Sequence, residues 1–440
     1  MKRQSFAPAV VLLILVGCGA KVLGQDDIAL PAAQLSAYER GEGLMFHNTR
    51  SGYTLQMRGY AQFSSELRHF SGTDEWYSRF RARRVRLRFV GASTSQKFVY
   101  RVQYEFTRPG GDGDDISGAL MDAWVAYNPS NRFRLSFGHR APLSDNLEMR
   151  MGSHTLQLIE RSRLTSAFSS IRDFGLFAEG RVRAGGGGWL RLAAAVVTGD
   201  GSRAWQEQNH GGFKYEGRLE WLPLGLFRSF GQFRQTDLVR EVQPRLLLSA
   251  YGSYNQGMSS RRGRASGDIL YLDNNFQEVL PDYWKLGADL LFKFRGFTLI
   301  AEYVLADAKV PADQITQRVR NDGSLATTFE GGVEAYVKGR MMLGSAVNVQ
   351  AGYVFPSLWS VDARWTRLSP ADHSFLMNPT FYARNGYQEL GVGKHFGRDY
   401  GTKVQMGVVR TVAEPSATSI LGNAFDGSEW TFRLLTQFAF

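Results

Sequence analysis

Arg83-Arg84-Val85-Arg86-Leu87-Arg88-Phe89, the run RRVRLRF, decides the fold. Successive side chains on a β-strand point to opposite faces, so Val85, Leu87 and Phe89 build one apolar wall while Arg84, Arg86 and Arg88 build a wall of guanidinium groups. A soluble sheet has little use for both walls. Lipid against the first and a water-filled lumen against the second would accommodate them, which predicts a transmembrane β-barrel with an anion-conducting interior.

Working outward, the same alternation runs from Tyr53 to the last residue. Sixteen segments start near Tyr53, Ser78, Lys97, Ala119, Asn131, Arg172, Gly188, Gly211, Pro244, Pro281, Gly296, Ser345, Leu358, Gly386, Gly401 and Ser428. An even strand number leaves both ends of the chain on the periplasmic side. Compact turns such as Asn128-Pro129-Ser130-Asn131 and Arg295-Gly296 alternate with long polar connections, which are expected to be extracellular. The connection 223–243 breaks that rule, and Val333 to Met341 is a candidate extra strand.

Rows expected to face lipid include Phe98, Tyr100, Val102, Tyr104 and Phe106, and Trp359, Val361, Ala363 and Trp365. The final strand carries Trp430, Phe432, Leu434, Thr436, Phe438 and Phe440 in alternation. An apolar strand ending the chain would be an aggregation-prone edge unless it closes against the first strand. A terminal phenylalanine there also resembles the signal read by the outer-membrane barrel insertion machinery.

Composition agrees. The 440 residues contain 48 glycines, 13% aromatic residues and only 13 prolines, a balance suited to one large barrel. Residues 1–24 read as a signal peptide, with Lys2 and Arg3 before the apolar stretch Ala9 to Val16. Residues 25–52 then form a short periplasmic lead-in, with a helical turn expected around Ala32 to Arg40, and 53–440 the barrel. After the signal no apolar run is long enough for a membrane helix. The only cysteine, Cys18, lies within the signal, either next to an ordinary cleavage site or in a lipoprotein box, so disulfides are excluded. The net charge of +11 is spread over many strands, which suits a lining for small anions better than a nucleic-acid patch. Enzyme signatures and metal-ligand spacings are missing, and no cofactor is implied. The acidic, glycine-rich stretch 110–115 lacks the closing acid of a calcium loop.

The same strand phase turns Arg58, Arg84, Arg86, Arg88, Arg101, Arg132, Arg134, Arg181, Arg191, Lys214, Arg218, Lys285, Lys293, Arg364, Lys403 and Arg433 inward. Guanidinium groups bind oxyanions in bidentate fashion and stay charged at any relevant pH. The competing structural reading is that inward acids, among them Glu105, Glu216, Glu220, Asp289, Glu302 and Asp362, simply neutralise them. The connection His139 to Ile171 carries Arg140, Arg150, His154, Arg161 and Arg163, with Arg172 beside it, together with Leu147, Met149, Met151, Leu156, Leu158 and Ile159. A loop this long and this apolar is expected to fold into the lumen and narrow it. The candidate anion pathway is therefore Arg84, Arg86, Arg88, Arg101, Arg134, Arg140, Arg150, Arg161, Arg163 and Arg172.

Several short pieces, in order, resemble the phosphate-selective porins O and P of bacterial outer membranes. They are Arg83 to Leu87, Met121-Asp122-Ala123-Trp124-Val125-Ala126-Tyr127, Leu135-Ser136-Phe137-Gly138, Ile159-Glu160-Arg161-Ser162 and Arg172-Asp173-Phe174-Gly175. The resemblance covers about Gly52 to Phe177 and resumes over the last third, at Gln350 to Tyr353 and Ala363 to Trp365. It implies a sixteen-stranded homotrimer in outer-membrane lipid, an inward third loop and an arginine ladder, with Glu160, Arg161 and Asp173 around that loop. One departure is that residues 139–172 contain no lysine, whereas phosphate-preferring members combine lysines with arginines at the constriction. The alternatives are a barrel hydrolase, with His154 or His210 as the reachable bases, and a plugged adhesive barrel.

Overall fold

The structure is a computed structural model describing residues 43–48, 51–107, 120–201, 210–259, 270–320 and 322–440. The signal peptide, the turn at Ala32 to Arg40 and the stretch 110–115 lie outside the described residues.

Sixteen strands form the barrel: β1 (Thr54–Phe70), β2 (Trp76–Ala92), β3 (Phe98–Glu105), β4 (Leu120–Ser130), β5 (Phe133–Arg140), β6 (Asp173–Arg183), β7 (Trp189–Val197) and β8 (Lys214–Leu222) in the first half. The second half holds β9 (Arg245–Asn255), β10 (Asp282–Phe294), β11 (Phe297–Lys309), β12 (Gly344–Val354), β13 (Trp359–Pro370), β14 (Arg384–His395), β15 (Lys403–Ala413) and β16 (Ser428–Ala439). Each pairs antiparallel with the next, and β16 returns to β1 in the register Tyr60↔Ala439 to Phe70↔Glu429. Phe440 completes the seam: its N–H donates to the Gly59 carbonyl at 3.0 Å and its carbonyl accepts from the Gly59 N–H at 3.3 Å. Closure leaves neither the first nor the last barrel strand as an open edge. A short strand, Leu44–His47, pairs with the start of β1, in a region the sequence reads only as lead-in.

Burial is inverted relative to a soluble protein. Phe98, Val125, Phe137, Leu176, Leu286, Met406 and Phe438 are exposed on the outer face, while Gln62, Glu105, Lys285, Asn348 and Asp362 are buried inside. Water outside would penalise such a surface, whereas lipid would not.

All sixteen segment starts lie within three residues of the observed strands. β1 and β2 run for 17 residues each. One local expectation needs correction. Residues Val333–Lys338 form a helix, α3, not a strand. Gly331, Gly332 and Gly339 bracket it, and Val333, Tyr336 and Val337, spaced i, i+3, i+4, pack on a loop cluster with Met341, Met342 and Leu343. Tertiary packing thus overrides a sequence that also reads as alternating.

Inside the wall, Gly287 faces Tyr251 across β9 and β10, and a Cβ at Gly287 would lie 2.2 Å from that ring. Tyr251 is buried, with the Arg218 guanidinium 5.0 Å from its ring centroid. Gly287→Ala is expected to cost about 1–3 kcal/mol by overpacking, read as a lower urea midpoint for the folded barrel in lipid vesicles; an unchanged midpoint would show that the ring moves freely.

Candidate functional site

The decisive local feature of the arginine strand is a β-bulge. Gln62 pairs with Arg84 but Phe63 pairs with Ala82, so Arg83 is the extra residue on β2. On the far side of the bulge the inward phase shifts to odd numbers, placing Arg81 opposite Ser64 and Arg79 opposite Glu66. Phe80 between them faces outward, 87% exposed. Simple alternation predicts inward Arg84, Arg86 and Arg88; the bulge adds Arg83, Arg81 and Arg79 to the column. No residue in RRVRLRF announces the bulge, since it is fixed by pairing with β1.

One cavity of about 470 Å³ runs along Arg83, Arg84, Arg86 and Arg88 of this column. Fourteen arginines line it (58, 83, 84, 86, 88, 101, 134, 140, 150, 161, 172, 191, 218 and 234), against four carboxylates (Asp122, Glu160, Glu179 and Glu220) and no lysine, a surplus of ten positive charges. Arg58 and Arg88 stand directly opposite each other across β1 and β2, a like-charge pairing that costs stability in an ordinary sheet. Carboxylates are shared: Glu160 accepts from Arg81 (3.2 Å), Arg84 (3.1 Å) and Arg83 (2.7 Å). Glu220 serves Arg150 (2.8 Å), Arg191 (2.6 Å) and Arg218 (2.8 Å). Arg86 binds Glu105 (2.6 Å), Arg172 binds Asp122 (2.8 Å) and Arg140 binds Glu179 (2.9 Å). The structural reading of these arginines therefore holds for many individually, while the total charge stays strongly positive. Among the described residues, Arg101 Nε and Arg134 Nη2 are buried with no hydrogen-bond partner. Arg101 instead lies over Trp124, 5.1 Å from the ring centroid.

The connection 141–172 carries helices α1 (Leu147–Arg150) and α2 (Arg163–Phe168). Its partners are inward residues from much of the barrel. Asp145 accepts from Lys285 of β10 at 2.9 Å, Glu216 of β8 accepts from the Leu143 N–H at 2.7 Å, and Glu302 of β11 accepts from the Glu148 N–H at 2.7 Å. Gln157 donates to Asp362 of β13 at 2.9 Å, and Lys403 of β15 donates to the Leu156 carbonyl at 2.7 Å. Bonds to charged groups, each worth about 1.5–3 kcal/mol, hold this segment in place.

Nine of the ten candidate residues line the cavity: Arg84, Arg86, Arg88, Arg101, Arg134, Arg140, Arg150, Arg161 and Arg172. Arg161 also ties its own loop, donating to the Met151 carbonyl (2.6 Å) and Ser153 Oγ (2.9 Å). Arg163 is the exception. Ser162 caps α2 by accepting from the Thr165 N–H, and the helix carries Arg163 away to the Phe381 carbonyl (2.6 Å) and the Tyr382 ring. Simple alternation does not point Arg83 and Arg234 inward; the bulge brings in the first and the connection 223–244 the second. Lys214, Lys285, Lys293 and Lys403 do turn inward, yet all are buried anchors away from the cavity. His154 lines the cavity against Tyr60, whereas His210 bonds Glu278 between long loops, so the two are not brought together.

Residues 55–231 match the family model described as phosphate-selective porin O and P, so the resemblance read over the first strands holds and extends further along the chain. Similar solved structures include the outer membrane channel DcaP of Acinetobacter baumannii (10% identity, 90% of this chain and 99% of that one, TM-score 0.49). Others are Salmonella typhi OmpF in complex with daunomycin (10%, 90% and 100%, TM-score 0.49) and the outer membrane protein OmpT of Vibrio cholerae (10%, 88% and 98%, TM-score 0.46). No curated protein matches the chain.

Glu160 lies off the strands. Burial raises its carboxyl, but the Arg84 and Arg83 guanidiniums outweigh that and hold it well below the usual carboxylate range. A depressed folded-state value gives stability that is present above the unfolded value and lost as pH falls through the folded one. Glu160→Gln should therefore destabilise the barrel by about 1–3 kcal/mol at neutral pH. In urea titrations the difference from wild type should persist through mildly acidic pH and shrink only in strong acid; a difference already gone at pH 5 would contradict this account.

Proposed function

We propose that this chain is an outer-membrane porin through which small anions diffuse passively. The observation that carries the proposal is the excess of arginines over carboxylates among the side chains lining the cavity, fourteen against four, which stays positive after Glu105 on Arg86 and Asp289 on Arg218 are counted. Such a surface raises the local anion concentration and repels cations, most strongly where low-dielectric walls confine the field. Arg81, Arg83, Arg84, Arg86 and Arg88 offer overlapping, partly compensated sites, so an anion passes from one to the next without being trapped. The connection 141–172 crosses the lumen and sets the size limit beside that wall. Exposed apolar strands meet the lipid, and the Phe440 strand serves the insertion machinery. The family resemblance supports a homotrimer.

The solute class is inorganic and small organic oxyanions. Guanidinium forks fit phosphate, sulfate and carboxylate alike, and the cavity lacks the lysines that family members preferring phosphate add to the constriction. No step needs a metal, a cofactor or a nucleophile.

Single-channel recording in a salt gradient tests this reading. Wild type should show an anion-selective reversal potential, and replacing Arg84, Arg86 and Arg88 together by glutamine should lower the anion-to-cation permeability ratio by about threefold or more. Cation selectivity in the wild type would overturn the proposal. Phosphate added to chloride should compete without the complete block expected of a dedicated phosphate site; complete block at low concentration would replace the broad solute class with phosphate itself.

A further inference from the structure

The turns at the short-turn end of the barrel are two to seven residues long, except residues 223–244, which number twenty-two. This connection does not project outward. Thr236, Asp237, Leu238 and Glu241 are fully buried. The wall grips it from the β10–β11 side: Lys293 donates to the carbonyls of Gly231 (3.0 Å) and Arg234 (2.8 Å), and the Gly296 N–H donates to Asp237 (2.8 Å). It also meets the connection 141–172 from the opposite end. The Gly152 N–H donates to the Phe233 carbonyl (3.2 Å), the Thr236 N–H to the Thr155 carbonyl (3.2 Å), and Gln235 bridges the Gln157 N–H (2.9 Å) to Glu148 (3.0 Å). At its tip, Ser229 and Phe230 hold positive φ of 47° and 56°, a turn that residues with a Cβ rarely adopt. That turn leaves Phe230, Phe233 and Arg234 lining the arginine cavity, with the Arg191 guanidinium 5.2 Å from the Phe233 ring centroid.

We propose that residues 226–243 form a second, fixed constriction entering from the periplasmic end, with Phe230, Phe233 and Arg234 as its specificity-determining residues. This rests on the porin reading. The two segments together fill the lumen beside β8 to β15 and confine solutes to the arginine wall of β1 to β7. Loop 141–172 narrows the path from one end and the strap narrows its exit. The two phenylalanine rings limit width, and Arg234 adds a guanidinium to the lining from the strap. Because the strap is bonded to both wall and loop, it acts as a permanent filter and not as a hinged gate.

Phe230→Ala combined with Phe233→Ala should raise single-channel conductance by about 1.5-fold or more and admit larger neutral sugars in liposome swelling, with anion preference retained. Arg234→Gln should lower anion preference with conductance nearly unchanged. A Phe230→Cys variant gives an independent readout, since a bulky thiol reagent added from the periplasmic side should reduce the current. Unaltered conductance and sugar cut-off in the folded double variant, or current insensitive to the reagent on a labelled cysteine, would overturn the strap's role while leaving the porin reading standing. Absence of any conductance in the wild type would overturn both.

Discussion

Ring closure between β1 and β16 is the constraint on which the rest of the structure depends. A sheet exposing Phe98, Phe137, Leu286 and Phe438 has an apolar outer face, and lipid offers no partner for an open edge. Pairing Tyr60–Phe70 with Glu429–Ala439 removes the edge and, in the same step, forces every inward side chain into one lumen. Charged groups that would each be solvated on an open sheet must there share space, partners and water. The arrangement of the interior follows from how that crowding is resolved.

It is resolved by dividing the lumen. On the side of β8 to β15, inward charges are spent on structure: Lys285, Lys293, Lys403 and Arg364 bond carboxylates or carbonyls of the two segments folded against them. A lysine ammonium is a compact donor suited to capping a carbonyl in a tight space. The cavity beside β1 to β7 is lined by arginines that outnumber the lining carboxylates by ten. Sharing Glu160 and Glu220 among three guanidiniums each keeps the wall ordered without neutralising it.

Much of this was legible in the sequence because strand alternation is a local property. The count of sixteen strands, their starting points within three residues, the lipid-facing rows and the inward phase of Arg84, Arg86, Arg88, Arg101 and Arg134 all follow from a period of two. The apolar residues between Leu147 and Ile159 correctly marked a buried connection. Residues 223–243 stood out only as a violation of the turn-length rule, and α3 was misread because a short alternating stretch can also present an i, i+3, i+4 face.

The sequence by itself thus determined the strand pattern, the inside-out polarity and the positive character of the interior, since each is written in neighbouring residues. Only the tertiary structure decided which cations are anchors and which line the cavity, that the β2 bulge turns Arg83 inward with Arg84, that α2 carries Arg163 away, and that residues 223–244 pack against the connection 141–172. Those outcomes depend on cross-strand register and on partners such as Glu148 with Arg364, 216 residues apart along the chain, whose proximity no local pattern encodes.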